Sequence, residues 1–191
     1  MKTAICKLKS KSPYSQSKKF NSTKGERETH QAFEARVWKE RCHVDSGGML
    51  YIPPMAFANS LKEAAKYLSI SVPGQGKCTF TKNFEAGVMV VDPAPLPINI
   101  GDVTGEWLSV PSDGKRGGSK RVDKCFPVIP EWSAEVTYHI LDDLITQDVF
   151  KRVLITSGML IGIGRFRPRN CGYYGRFDVV NINWTEENIN V

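Results

Sequence analysis

Residues Gly162 to Phe177 read Gly-Ile-Gly-Arg-Phe-Arg-Pro-Arg-Asn-Cys-Gly-Tyr-Tyr-Gly-Arg-Phe, with four glycines, four arginines, four aromatic rings and no acid. Glycine lets the backbone approach a ligand closely and take φ > 0, arginine forks onto phosphate, and ring faces stack on bases. Their meeting in one loop points to a nucleic-acid strand, DNA or RNA. Arg165, Arg167 and Arg169 alternate around Pro168. In an extended segment they share one side about 6.5 Å apart, near the phosphate repeat of a stretched strand. Phe166 serves either to anchor the loop or to stack, and Arg176 adds a fourth charge. Tyr173 and Tyr174 fall on opposite faces if the last strand has begun, one towards the core and one free for a base.

Periodicity on both sides of this loop sets the fold class. Upstream, Thr146 caps a helix with Val149, Phe150, Val153, Leu154, Ser157 and Leu160 at helical spacing. Downstream, Tyr173–Trp184 predicts a last strand through Phe177, Val179, Ile182 and Trp184. Trp132–Leu141 alternates Ala134, Val136, Tyr138 and Ile140 with polar partners, and Thr3–Lys9 alternates Ala4, Cys6 and Leu8 with Ile5, Lys7 and Lys9; both read as strands. Pro53-Pro54 opens a helix through Phe57, Leu61, Ala64, Ala65 and Leu68, and Pro73–Lys77 breaks it. Gly87–Val91 predicts a buried strand, Glu28–Trp38 a short helix, and Val37–Ile52 a strand-turn-strand around Asp45-Ser46-Gly47-Gly48. Lys9–Gly25 is polar and basic with little to bury, hence a mobile arm or a segment ordered on binding. Pro93–Lys124, rich in Pro, Gly and charge around Trp107–Val110, reads as a long functional excursion outside the core. The order strand, helix, strand, strand, helix, glycine-rich loop, strand predicts an α+β, ferredoxin-like or RNA-recognition-motif-like core. It forms one domain over residues 1–191, with a basic arm at 9–27 and an insertion at 93–124.

Charge is segregated along the chain. Of 26 Lys and Arg and 20 Asp and Glu, residues 1–27, 115–124 and 165–176 hold 17 basic and 2 acidic groups, leaving 9 against 18 elsewhere. A basic track on an acidic body is the electrostatic footprint of polyanion binding. It adds Lys18, Lys19 and Lys24 from the arm, and Lys115, Arg116, Lys120 and Arg121 from the insertion, as candidate phosphate contacts. Five scattered cysteines without a Cys-x-x-Cys pair argue against disulfides or a zinc site. With no apolar span or signal peptide in sight, they predict a cytosolic chain, in a bacterial host if the resemblance below holds.

Element order and loop together resemble the repeat-associated mysterious protein (RAMP) superfamily, the CRISPR effector subunits that coat guide RNA. Gly162–Phe177 resembles their glycine-rich loop, and Pro93–Lys124 the thumb-like insertion of the backbone-forming subunits. The chain is also similar to a family of bacteriophage and prophage proteins through Tyr51–Phe57, Phe84–Val88, Gly105–Trp107, Phe126–Pro130 and Gly162–Pro168; Cys171 stands where glycine is expected. The loop, the basic track and the RAMP resemblance together point to a phage-type protein that binds single-stranded DNA or RNA by phosphate contact and base stacking; the phage and prophage resemblance adds no activity of its own. It would tolerate varied sequence, assemble as a homo-oligomer along the strand through the insertion and Trp107 or Leu108, and have CRISPR effector subunits as possible partners. An inhibitor that mimics or blocks a CRISPR subunit is the rival; a nuclease using Asp113 or Asp123 comes third.

Nothing in the sequence asks for a cofactor or metal, and no catalytic constellation is evident, so the expectation is a protein that is not an enzyme. His139, mid-strand, reads as structural, His30 falls on a polar helix face, and Cys42 and His43 point to opposite faces if they lie in a strand. Gly74-Gln75-Gly76-Lys77 lacks phosphate-loop spacing and has Cys78 where Ser or Thr would hold magnesium. Asp142-Asp143 reads as a complement to the following helix dipole.

Overall fold

The structure, a computed structural model, describes residues 1–112 and 120–186. In chain order its elements are β1 (Lys2–Ser10), β2 (Tyr14–Ser15), α1 (His30–Val37), β3 (Met49–Ile52), α2 (Pro54–Leu68), α3 (Thr81–Gly87) and β4 (Val88–Met89). There follow β5 (Ala94–Asn99), β6 (Thr104–Pro111), β7 (Arg121–Ile129), β8 (Ser133–Ile140), α4 (Gln147–Thr156) and β9 (Phe177–Glu186). The result is a mixed α/β chain with antiparallel sheets.

The main sheet has the order β4-β8-β1-β9, each neighbour antiparallel. Its inner face is the alternation read from sequence: Ala4, Cys6 and Leu8 on β1 and Ala134, Val136, Tyr138 and Ile140 on β8 are all buried. Two helices cover that face. From α2 come Phe57, Leu61, Ala64 and Ala65, and from α4 come Phe150, Val153 and Leu154. Phe150 lies between Tyr138 and Trp184 at ring separations of 5.3 and 5.6 Å, and Phe57 meets Phe177 edge-on at 6.5 Å. Thr146 caps α4 by accepting the Val149 N–H, as its position predicts.

The last strand solves a registration problem. Phe177 and Val179 sit at odd positions and Ile182 and Trp184 at even ones, so they share a face only if the strand slips by one residue. It does so at Val180, which is left out of the pairing between Leu8↔Val179 and Lys7↔Asn181 and is exposed.

A second sheet, β2-β7-β6, stands beside the first, and β3 pairs with β5. The segment expected to be an excursion is therefore mostly strand. Ala94 and Leu96 of β5 are core residues, whereas β6 and β7 form a long hairpin in register from Thr104↔Val128 to Pro111↔Arg121, with β6 largely exposed. Residues 9–25 also differ from expectation at their start. Ser12, Tyr14, Ser15 and Gln16 are buried, because β2 pairs with β7, Ser15 Oγ donates to the Pro127 carbonyl, and Tyr14 packs edge-on to Trp132. Polar composition hid a segment whose burial rests on backbone pairing.

Three further elements depart from the sequence reading. Residues 38–41 form a 3₁₀ turn in place of a strand, leaving Val44 to bridge Leu50 alone, although the Asp45–Gly48 turn forms with Asp45 accepting the Gly47 and Met49 N–H groups. Residues 81–87 are helical, so the expected Gly87–Val91 strand shrinks to two residues. α4 runs into a π turn at Ser157–Ile161 that leaves Leu160 exposed.

α4 and the turn that follows it make a direct test of which face is core. Phe150→Ala removes a fully buried ring and is expected to cost about 3–5 kcal/mol in urea unfolding, whereas Leu160→Ala at the exposed turn costs about 0.5 kcal/mol or less.

Candidate nucleic-acid interface

The loop between α4 and β9 is held from below by the segment around β2. Arg165 N–H donates to the Ser15 carbonyl at 2.9 Å, and Gly175 N–H donates to the Pro13 carbonyl at 2.7 Å. Gly175 sits at φ 79°, and any side chain there would collide with the Ile163 carbonyl. Cys171, standing where glycine was expected, takes the left-handed conformation at φ 56°. Pro168–Asn170 is a 3₁₀ turn, so the segment is not extended and the three alternating arginines do not share a side. Arg167 and Arg169 turn to Glu63 on α2, at 2.6 and 3.5 Å, while Arg165 turns the other way, to β7.

Arg165 belongs to a column of alternating charge and ring. Its guanidinium lies 3.5 Å from the centre of the Phe126 ring and 5.0 Å from Phe166. On the other side Arg41 lies 5.1 Å from Phe126 and 4.8 Å from Phe20. The run Phe20, Arg41, Phe126, Arg165, Phe166 thereby ties arm, helix, hairpin and loop together. Arg41 is buried and paired with Glu34 of α1 at 3.0 Å, and Glu34 also accepts the Cys125 N–H. Burial above all, with repulsion from Arg41, pulls the Arg165 pKa below its ordinary value, and a guanidinium stays cationic throughout. Nη1 of Arg41 and Nη1 of Arg165 are buried without a hydrogen-bond partner among the described residues.

Above the column lies an open cleft of about 680 Å³ between arm, hairpin and loop. Lys18, Lys19, Arg41, Arg121, Lys124 and Arg165 line it, with Phe20, Phe126 and Phe166, and no acidic side chain does so among the described residues. Arg121 is braced by donating to the Ser109 carbonyl. A second, more apolar cleft of about 490 Å³ adjoins it across Ser109, Val110, Arg165 and Phe166 and is lined by Tyr173, Tyr174 and Arg176. Both tyrosines precede β9, so strand alternation does not sort them. Hydrogen bonding does. Tyr174 donates its hydroxyl to Glu106 on the hairpin, and burial together with that carboxylate pushes its pKa up to about 12; Tyr173 is 61% exposed.

Of the residues picked from sequence, Lys18, Lys19, Arg121, Arg165 and Phe166 meet in the first cleft, and Tyr173, Tyr174 and Arg176 in the second. Arg167 and Arg169 are drawn aside to Glu63, Lys24 and Lys120 are exposed outside both clefts, and Lys115 and Arg116 lie outside the described residues. Arg41, Lys124, Phe20 and Phe126 were missed. Only Glu34, seven residues ahead of Arg41 across α1, offered a sequence signal for the buried pair. Asp142 accepts from Asn83 and from the Leu144 N–H, and Asp143 lies 3.8 Å from Lys2, so this pair fastens the loop before α4 where a helix-dipole role was expected. Gly74–Lys77 is the turn of the Ser71↔Thr79 bridge. No cluster of three or more metal-ligating side chains occurs, and no helix is long and apolar enough to cross a membrane, among the described residues.

Removing Glu34 strands Arg41 as an unpaired buried charge. Glu34→Ala is expected to cost about 3–5 kcal/mol of stability, whereas Glu34→Leu combined with Arg41→Met recovers most of the loss in the same denaturant titration.

No protein-family model matches the chain, and no curated protein matches its sequence. Solved structures do share its fold. One is a chain of the Type III-B Cmr-beta bound to cognate target RNA, 11% identical over 96% of this chain with a TM-score of 0.52; this chain spans 60% of that one's length. Another is Cmr6 from Pyrococcus furiosus, 14% identical over 94% of this chain and 99% of its own, with a TM-score of 0.50. The α/β architecture with its antiparallel sheets is thus one that Cmr proteins also carry.

Proposed function

We propose that this protein binds a single nucleic-acid strand in the basic cleft, by phosphate contact along its walls and base stacking at its rim. The observation that carries this is the cleft lining: six cations and three rings with no acid among them, on a body otherwise rich in acids. The Arg41 and Arg165 guanidiniums stack on Phe126 and supply positive charge to the floor of that cleft. Phe166 and Tyr173, each more than half exposed, are the faces on which bases stack. RNA is the first strand to test, because the Cmr-beta structure is of a complex with target RNA. The main-sheet order and its two covering helices favour a ferredoxin-like core of the RAMP kind.

Side-by-side assembly along the strand belongs to the same proposal, with exposed Trp107 on β6 as the surface that meets the next copy. The likeness to Cmr proteins also favours a second reading, in which a phage-type chain takes a CRISPR subunit's place and blocks the assembly. The proposal is of binding without catalysis; a nuclease acting through Asp123, or through Asp113, which lies outside the described residues, would release shortened strands in the same assays.

Fluorescence anisotropy with labelled RNA and DNA oligonucleotides separates these outcomes. Affinity is expected to fall with salt at a log-log slope of about −0.7 per phosphate contacted. Arg165→Ala and Lys18→Ala reduce that slope by about 0.7 each, while Arg169→Ala, whose charge Glu63 already meets, changes it less. Tyr173→Ala costs about 1–3 kcal/mol with the slope unchanged. A salt-independent affinity, or full binding by the Arg165→Ala/Lys18→Ala double variant, overturns the proposal.

A further inference from the structure

A third cleft, of about 520 Å³, lies behind the basic one between α2 and the loop, and shares Ser17, Arg165 and Phe166 with it. Its inner lining is partly spoken for. Tyr14 is fully buried, and Gln16 spends both ends of its amide internally, donating to the Tyr51 carbonyl and accepting the His43 N–H. His43 rests on Tyr51, and burial lowers its pKa, so the ring stays neutral at pH 7. Two side-chain amides on the walls, Asn59 on α2 and Asn170 on the loop, have no partner among the described residues, beside the His43 ring and the Ser17 hydroxyl.

Phe166 divides this cleft from the basic one. It is held at φ 52°, a conformation that is strained for a bulky residue, and its carbonyl is fixed by the Tyr174 N–H. The ring is 52% exposed at the rim of all three clefts. A base leaving a strand in the basic cleft meets this ring first and the two amides next.

We propose that the third cleft is a reading pocket for one unpaired adenine, turned out of the bound strand over Phe166 and held at its edge by Asn59 and Asn170. This rests on the strand-binding proposal above. Asparagine pairs in bidentate fashion with the donor and acceptor edge of adenine. Guanine is read by a free arginine fork, and here the Arg167 fork is taken by Glu63 and the Arg165 guanidinium lies on Phe126. Cytosine calls for a carboxylate, and none lines the cleft among the described residues. Binding would then tolerate varied sequence along the strand and discriminate at one position.

The test uses the full chain and a short oligopyrimidine, as RNA and as DNA, carrying one central A, G or C, with competition anisotropy as the readout. One adenine is expected to tighten binding about tenfold over the other two bases. Asn59→Ala and Asn170→Ala should each remove most of that preference while leaving the unsubstituted oligopyrimidine's affinity and salt slope as they were. Asn59→Asp, which keeps the size and loses the donor, distinguishes edge reading from shape. Equal affinity for the three bases, or an adenine preference that survives both alanine variants, overturns this inference and leaves strand binding standing. Failure to bind any oligonucleotide overturns both.

Discussion

Phe126 is held between two guanidiniums, Arg165 at 3.5 Å from its centre and Arg41 at 5.1 Å, and the rest of the interface depends on this clamp. Two like charges do not approach one ring unless something fixes each. Arg41 is fixed by Glu34, which faces it from α1 inside the protein, and Arg165 by a loop whose backbone is bound to the Ser15 carbonyl. A ring between cations stabilises each by about 0.5–2 kcal/mol, more as water is excluded. For Arg165, which has no carboxylate partner among the described residues, the ring orders the guanidinium without cancelling its charge. The remaining arginines show the alternative, since Arg167 and Arg169 meet Glu63 and contribute less field to the clefts.

That clamp joins parts distant in sequence. The main sheet and its two helices supply a stable platform, and α4 delivers the loop at one end through its π turn. The hairpin is anchored at its base by Trp38, which packs over Gly105 where a side chain would not fit, and further along by Tyr174 on Glu106. The basic residues of the arm and hairpin, weak in effect when scattered on a surface, become a single field because Tyr14–Gln16 and β7 bring them to one side.

Much of the platform was legible in the sequence because it depends on period. Ala4–Leu8 and Ala134–Ile140 alternate, Phe57–Ala65 and Phe150–Leu154 recur at helical spacing, and the two helices start at a proline pair and a threonine cap. Residues buried by backbone pairing were not legible: Ser12–Gln16 look like a linker, and β5 and the hairpin look like a loop, because serine, proline and charge dominate them. At the interface the basic residue types were visible but their pairing was not. Nothing local to Arg167 announces Glu63, about a hundred residues earlier, and nothing around Phe126 announces the Arg41 and Arg165 guanidiniums that the fold brings to either side of it.

The most direct test is photo-crosslinking of a thiopyrimidine-substituted single strand to the intact protein, with the attached peptides identified by mass spectrometry. The expected crosslinks fall on Ser17–Phe20, Lys124–Phe126 and Arg165–Tyr173, the three segments that meet around the clamp. Crosslinks concentrated on the outer face of the main sheet, at Lys7, Glu135 and Asn181, would contradict the account and place the strand on the opposite side of the molecule.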